Sequence, residues 1–348
     1  MRIAVFLSGV LGIALALPSL SSASAQDEVA DPPPFDAWLV ELREEARERG
    51  VGAATLDRAL ANLEPNERVI ELDRKQPEFT QTFEQYLAAR VSQARIDRGR
   101  EMMATHRDLL RAVAADYGVQ PRFIAAIWGM ETNYGAYTGG MSLVRSLATL
   151  AWDRRRSDYF RGQLLDVLEI LDAGHVAPDK ATGSWAGAMG QPQFMPASFK
   201  AYAQDFDGDG RRDIWTSEAD VFASIANYLA RHGWRDDMTW GRQVIPPEGM
   251  SVSDPGLAQE TPPKSCRRAL GDHSRRLSLA EWQARGVRRL NGDDLPTRDF
   301  EASLVQPAGA GGPAFITYSN FRAILRYNCS NFYALAVGHL ADALRGHE

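Results

Sequence analysis

The stretch Ile124-Ala125-Ala126-Ile127-Trp128-Gly129-Met130-Glu131-Thr132-Asn133-Tyr134-Gly135 decides how this chain is read. Ile124, Ile127, Trp128 and Glu131 fall at i, i+3, i+4 and i+7, so on a helix they share one face. A carboxyl is thereby placed among bulky hydrophobes just before a glycine turn. Surroundings that solvate charge poorly raise the pKa of a carboxylic acid and keep it a proton donor near neutrality. Glycosidic bond cleavage needs such an acid. The same spacing also suits a helix-end glutamate whose stem packs while its head reaches water.

Further along, Gly183-Ser184-Trp185-Ala186-Gly187-Ala188-Met189-Gly190-Gln191-Pro192-Gln193-Phe194 interleaves glycines with hydroxyl and amide side chains. Glycine lets a backbone approach a bulky ligand, and amides both donate and accept hydrogen bonds, as sugar hydroxyls and N-acetyl groups require. A tight structural loop is the other reading of this segment.

The 348 residues begin with Arg2, an apolar run from Ile3 to Leu17 and the small residues Ala23-Ser24-Ala25. This pattern predicts a signal peptide over residues 1–25, too short in its apolar run for a membrane span, and hence a soluble exported protein. No cysteine follows the run to take a lipid, and no later stretch is apolar enough to cross a bilayer, so no stable membrane anchor is expected. The net charge is −6, and removing residues 1–25 takes away one arginine and no acid. That balance argues against nucleic acid as the main partner. The densest basic run, Arg154-Arg155-Arg156, is read as a solvated helix face.

Two cysteines occur, Cys266 and Cys329. In an oxidising compartment the pair is a disulfide candidate, with two isolated buried thiols as the alternative. The six histidines show no zinc-binding spacing.

An acidic, proline-bearing linker covers residues 26–34. Residues 35–108 are helix-rich: Trp38, Leu39, Leu42 and Ala46 repeat at helical spacing, as do Phe79, Phe83, Tyr86 and Leu87. Helical patterns continue from Leu109, break at Tyr117-Gly118, restart at Pro121 and cover Leu164–Leu171 and Val221–Ala230. Residues 239–317, rich in proline and glycine, read as a small β-containing insertion. Helix returns over residues 318–348. Ala308-Gly309-Ala310-Gly311-Gly312 lacks the lysine of a phosphate cradle and is expected to be a loop.

Asp205-Phe206-Asp207-Gly208-Asp209-Gly210-Arg211 begins like a calcium loop, with side-chain oxygens at positions 1, 3 and 5, glycine at 6 and a carbonyl, from Arg211, at 7. Thr216 stands where a glutamate would close the shell. A charged turn without metal is the alternative.

Taken in order, Ile127 to Gly135, Ala186-Gly187-Ala188-Met189-Gly190 with Gln193-Phe194-Met195-Pro196, Ala226-Asn227-Tyr228, and Arg326-Tyr327-Asn328 with Ser330 and Tyr333 resemble the lytic murein transglycosylase B family. Lys75-Gln76-Pro77-Glu78-Phe79 extends the likeness. The resemblance implies a mainly α protein of α+β type: a lysozyme-like catalytic domain over residues 109–238, completed by 318–348, with an N-terminal helical domain at 35–108 and a small β-containing domain at 239–317. It implies Glu131 as catalytic acid/base and Ser184, Gln193, Tyr228, Tyr327, Asn328 and Tyr333 as substrate-binding residues. It also implies that Asp220 closes a structural calcium shell with Asp205, Asp207, Asp209 and Arg211, while the chemistry needs no cofactor. Peptidoglycan glycan strands would be the partner, in the periplasm. Gln191-Pro192 departs from the aromatic-glycine pair of some members, and Cys329 from a frequent histidine. The family's lipid anchor and any appended wall-binding module are absent from the pattern.

One carboxyl suffices if the sugar's own N-acetyl group stabilises the developing cation and its own C6 hydroxyl attacks, giving 1,6-anhydromuramoyl ends. A hydrolytic muramidase and a catalytically silent wall-binding scaffold are the alternatives.

Overall fold

A computed structural model describes residues 32–75, 81–153, 155–259, 261 and 263–346. The expected signal peptide at 1–25, linker residues 26–31 and Gln76-Pro77-Glu78-Phe79 lie outside the described residues.

The N-terminal part forms helices α1 (Phe35–Glu48), α2 (Ala53–Ala59), α3 (Glu67–Arg74), α4 (Phe83–Arg90) and α5 (Gln93–Thr105). In α1 the pattern residues Trp38, Leu42 and Ala46 are buried. Next come α6 (Arg107–Tyr117), α7 (Pro121–Thr132), a short strand β1 (Met141–Ser142), α8 (Leu143–Trp152), α9 (Ser157–Asp172), β2 (Thr182–Gly183), α10 (Pro196–Tyr202) and α11 (Glu218–Arg231). Gly118, left-handed at φ 67°, ends α6, and Pro121 opens α7.

Residues 239–317 hold strands β3 (Gly241–Ile245), β4 (Leu277–Ser278), β5 (Arg288–Arg289), β6 (Glu301–Val305) and β7 (Ala314–Thr317), with helices α12 (Arg267–Gly271) and α13 (Leu279–Ala284) between them. The strands form one antiparallel sheet in the order β4-β6-β7-β3-β5, and the glycine-rich Ala308–Gly312 is the turn between β6 and β7. The chain closes with α14 (Ser319–Tyr327) and α15 (Asn331–Ala343).

Two apolar cores result. The small one lies on one face of the sheet and includes Val244, Leu277, Trp282, Leu304 and Ile316. The large one joins α1–α5 continuously with α6–α11, α14 and α15. Side chains alternate across a strand, so β6 and β7 serve both: Leu304 and Ile316 face the small core, Val305 and Phe315 the large one. Phe315 meets Phe83 of α4 edge-on, with centroids 5.8 Å apart.

At the centre runs α7, in which every residue from Arg122 to Met130 is buried. A helix apolar on all sides belongs inside a core, so the one-sided face read from Ile124, Ile127 and Trp128 is only part of its buried surface. The basic run before α9 also differs from a solvated helix face. Arg155 and Arg156 lie in the α8–α9 connection and both pair with Asp73 of α3, whose side chain is 2% exposed; the Arg155 Nε to Asp73 Oδ2 distance is 2.6 Å.

Candidate active site

Three successive left-handed residues end α7: Asn133, Tyr134 and Gly135, at φ 51°, 60° and 79°. The conformation is uncommon for a bulky residue. Neighbouring glycines make it possible by admitting the tyrosine ring. A Cβ added at Gly129 would lie 2.5 Å from Tyr134 Cζ, and one at Gly99 of α5 would lie 2.3 Å from its oxygen. The Tyr134 hydroxyl donates to the Arg95 carbonyl at 3.0 Å. Its ring meets Trp128 edge-on, 5.5 Å between centroids. The turn that follows Glu131 is thus clamped between α5 and α7.

The Gly183–Phe194 segment folds back on itself through isolated bridges, Gly183 with Met189 and Met189 with Phe194. Gly183 pairs with Met141, and its own missing side chain leaves room for the Ala188 carbonyl, which a Cβ would approach to 2.1 Å. Ser184 Oγ accepts the Ala188 N–H at 3.0 Å, so the hydroxyl braces this loop. Gln193, at φ 51°, donates its amide to the carbonyls of Thr138 at 3.0 Å and Gly190 at 2.9 Å.

Gln191 ties this loop to α7. Its side-chain oxygen accepts the Trp128 indole N–H at 2.7 Å, its amide donates to the Trp215 carbonyl at 3.1 Å, and its backbone carbonyl accepts the Thr132 hydroxyl at 3.0 Å. From sequence, Gln191 reads as one of the amides suited to a sugar and as a departure from a motif; in the structure its side chain is taken up by Trp128 and Trp215. A signal existed: an indole N–H on a wholly apolar helix needs a buried acceptor.

Tyr228 of α11, Tyr327 at the end of α14 and Phe194 form an aromatic wall, with centroids 4.8 Å apart for Tyr228–Tyr327, 5.6 Å for Phe194–Tyr228 and 5.7 Å for Phe194–Tyr327. Tyr228 donates its hydroxyl to the Arg326 carbonyl at 2.6 Å, and Tyr327 to the Pro192 carbonyl at 2.7 Å. Tyr333 sits in the first turn of α15, where Ser330 accepts its N–H at 3.4 Å. Its hydroxyl donates to Glu131 Oε1 at 2.5 Å. Asn328 is exposed on the turn between α14 and α15.

Glu131 is partly accessible, yet its carboxyl is enclosed enough that burial pushes its pKa up from 4.5 to about 7, against the opposing pull of the Tyr333 hydrogen bond and the Arg90 charge. The two groups that oppose burial stand on other helices, Arg90 on α4 and Tyr333 on α15. Among the described residues, no carboxylate is among the groups that shift it. Burial and the Glu131 charge together hold the Tyr327 and Tyr333 hydroxyls well above the usual tyrosine range. The site therefore gathers one proton-holding carboxyl, a hydroxyl that orients it and ring faces against which a sugar can stack.

In the acidic loop, carboxylate oxygens of Asp205, Asp207 and Asp209 lie within 4.8 Å of one another, a spacing that a divalent cation fits. Local donors already orient them: Asp205 accepts the N–H of Gly208 at 2.8 Å and Gly210 at 2.9 Å, and Asp207 accepts the Ser217 hydroxyl at 2.7 Å. Arg211 pairs with Asp209 at 2.7 Å through its side chain. Asp220 is fully buried, and each oxygen accepts a backbone N–H, from Phe206 and from Asp213, both at 2.7 Å. It joins the two ends of the loop. Cys266 and Cys329 are bonded as a disulfide that connects the start of α12 to the α14–α15 turn.

Residues 34–342 match the family described as Transglycosylase SLT domain. Membrane-bound lytic murein transglycosylase B of Escherichia coli strain K12 is 34% identical over 250 residues, covering 69% of this chain and 61% of that protein. The chain thus spans less than two thirds of this curated relative. Among solved structures, SltB3 from Pseudomonas aeruginosa in complex with NAG-anhNAM-pentapeptide is 45% identical with a TM-score of 0.82, covering 90% of this chain and 80% of that one. The Escherichia coli lytic transglycosylase Slt35 in complex with calcium is 27% identical with a TM-score of 0.71, covering 91% and 94%. The mainly α architecture with a small sheet is the lysozyme-like fold of these lytic transglycosylases, and the chain belongs to the transglycosylase SLT domain family.

Proposed function

We propose that this protein is a lytic transglycosylase that cleaves the β-1,4 bond between N-acetylmuramic acid and N-acetylglucosamine in peptidoglycan without consuming water. The single observation that carries the reading is the Glu131 carboxyl, held protonated to about pH 7 and oriented by Tyr333, with no carboxylate of the described residues among its influences. Glu131 gives its proton to the leaving glycosidic oxygen as that bond breaks. The substrate's N-acetyl group stabilises the sugar cation, and its own C6 hydroxyl attacks the anomeric carbon. The Glu131 carboxylate then takes the C6 hydroxyl proton, restoring the acid and leaving a 1,6-anhydromuramoyl end. A hydrolase would ordinarily need a second carboxyl to activate water or form a covalent bond.

Tyr228 and Tyr327 offer stacking faces, Ser184 and Gln193 shape the loop beside them, and Asn328 stands at the rim. Strands bearing peptide stems are the proposed substrate, supported by the NAG-anhNAM-pentapeptide bound by SltB3. The N-terminal domain at 35–108 acts as scaffold, since α4 and α5 contribute the Arg90 charge and the Arg95 carbonyl that brace the site. Calcium would be held by Asp205, Asp207, Asp209 and the Arg211 carbonyl as a structural ion, supported by the calcium complex of Slt35. Peptidoglycan as substrate and residues 1–25 as a signal peptide place the protein in the periplasm. Among the described residues no helix is long and apolar enough to cross a membrane.

Mass spectrometry of products released from purified sacculi tests the reading. Anhydro ends, lighter by one water than hydrolytic ends, are expected, and Glu131→Gln is expected to release none while remaining folded. Hydrolytic ends would make the protein a muramidase, and binding without products a scaffold.

A further inference from the structure

The start of α15, which carries Tyr333, is held by residues that belong to the sheet-bearing stretch 239–317. Asn331, the first residue of α15, is buried, and its side chain is used at both ends: the amide nitrogen donates to the Ala269 carbonyl of α12 at 2.8 Å, and Oδ1 meets His273 Nε2 at 2.8 Å. The first of these bonds fixes the second. With its nitrogen committed to Ala269, Asn331 presents an acceptor, so Nε2 is the protonated ring nitrogen of His273. His273 is 2% exposed, and burial holds its pKa down at about 4, so the ring stays neutral and keeps this donor.

His273 is itself anchored on the sheet. It bridges Val305 of β6, and its Nδ1 lies 3.4 Å from the Thr317 hydroxyl of β7. Cys266, immediately before α12, is bonded to Cys329, two residues before Asn331. One segment, 266–273, therefore grips one turn, 329–331, at three points. Tyr333, whose hydroxyl Glu131 accepts, follows less than one helical turn later. A buried acceptor deprived of its donor costs more than the bond itself was worth, so loss of the His273 contact would move this turn rather than leave Asn331 in place. We infer that His273 and Asn331 are positioning residues for the acid: through them residues 239–317 hold the first turn of α15 where the Tyr333 hydroxyl meets Glu131. This rests on the activity proposed above.

The test compares His273→Phe, Asn331→Ala and His273→Gln with wild type on soluble glycan strands. The first two should lower kcat by up to about a hundredfold, the loss a misplacement of about 1 Å can cause, with KM little changed. His273→Gln keeps an N–H donor and should restore most of the rate. In a Tyr333→Phe background His273→Phe and Asn331→Ala should add less than about a twofold further loss, because they act through the group already removed. Losses that multiply in full, a rise in KM at unchanged kcat, or His273→Gln as slow as His273→Phe would overturn the inference. Melting curves identify the variants folded at the assay temperature, and Asn331→Ala carries the test if His273→Phe is not among them. A wild type that forms no anhydro ends would sink the proposed activity instead. Titration of the Glu131 carboxyl by carbon-13 NMR then decides the positioning by itself. Arg90 and Tyr86 of α4, Tyr327 of α14 and Tyr333 act on that carboxyl or feel its charge, and the clamp addresses Tyr333. The Glu131 pKa should rise in His273→Phe and Asn331→Ala, as in Tyr333→Phe, and stay at the wild-type value in His273→Gln. A titration unchanged in both of the first two would overturn the inference.

Discussion

Tyr333 donates its hydroxyl to Glu131 Oε1 across 2.5 Å, joining the first turn of α15 to the last turn of α7, 202 residues away in sequence. A hydrogen bond to a carboxylate favours the charged form, so this contact holds the Glu131 pKa lower than burial alone would. Tyr333→Phe should therefore raise that pKa further and move the alkaline limb of the pH dependence of kcat/KM upward. Loss of orientation should also lower the plateau, by up to about a hundredfold, the low end of general-acid contributions. An alkaline limb unchanged in the variant would show that Tyr333 does not set the acid's strength.

Glu131 itself has a consequence for stability. Its pKa is 4.5 for the ordinary side chain and about 7 in the fold, so between those values the folded state binds the extra proton. Its favourable contribution is fully present below the lower value and disappears as pH rises through the higher one. Glu131→Gln lacks this dependence. Relative to wild type it should gain stability between about pH 5 and pH 8, by about 2 kcal/mol. Parallel melting curves at several pH values would reveal it.

Gly129→Ala would push a methyl against the Tyr134 ring, 2.5 Å from Cζ. Overpacking of this kind costs about 2 kcal/mol, and the displaced ring would shift the turn after Glu131. Lower Tm and lower turnover are both expected, the latter measured well below the melting range.

Two aspartates of the acidic loop should behave differently. Asp207→Asn is expected to remove most of the Tm rise produced by calcium while leaving the metal-free Tm nearly unchanged, because Asp207 belongs to the triad that fits the ion. Asp220→Asn should lower Tm with or without calcium, because its oxygens hold the backbone of Phe206 and Asp213. Calorimetry with calcium and with chelator separates the two.

Cys266 and Cys329 close a loop with a sequence separation of 63. On a chain-entropy basis, replacing both by serine should cost about 4 kcal/mol. The free α14–α15 turn carries Tyr327 and Tyr333, so activity is expected to fall at temperatures where the double variant is still folded.

Much of this was legible in the sequence because local chemistry and tertiary structure agree. Pro121 opening α7, Gly118 ending α6 and the apolar positions of α1 read correctly, and the proline-rich stretch does hold the sheet. Motif order brought together residues that spacing never could: Glu131 and Tyr333 touch only because α7 packs on α15. What escaped depends on partners distant in sequence. Helix periodicity pointed to burial as the cause of the weak acidity of Glu131, and burial is its largest cause; what escaped are the groups that oppose it, Arg90 on α4 and Tyr333 on α15. Arg155 and Arg156 are exposed, as a solvated run should be, but their pairing with the buried Asp73 escaped because that residue stands on another helix. The β1–β2 pair escaped because two residues per strand are too few to show alternation.

The wall tyrosines 228 and 327 have both hydroxyls tied to main-chain carbonyls. A saccharide bound there, as proposed, would meet a surface already set, with little rotamer freedom left to lose on association. Because stacking on a ring face involves no charge of the tyrosine itself, this contact should be nearly indifferent to ionic strength, leaving the discrimination of charged glycan variants to residues elsewhere on the molecule.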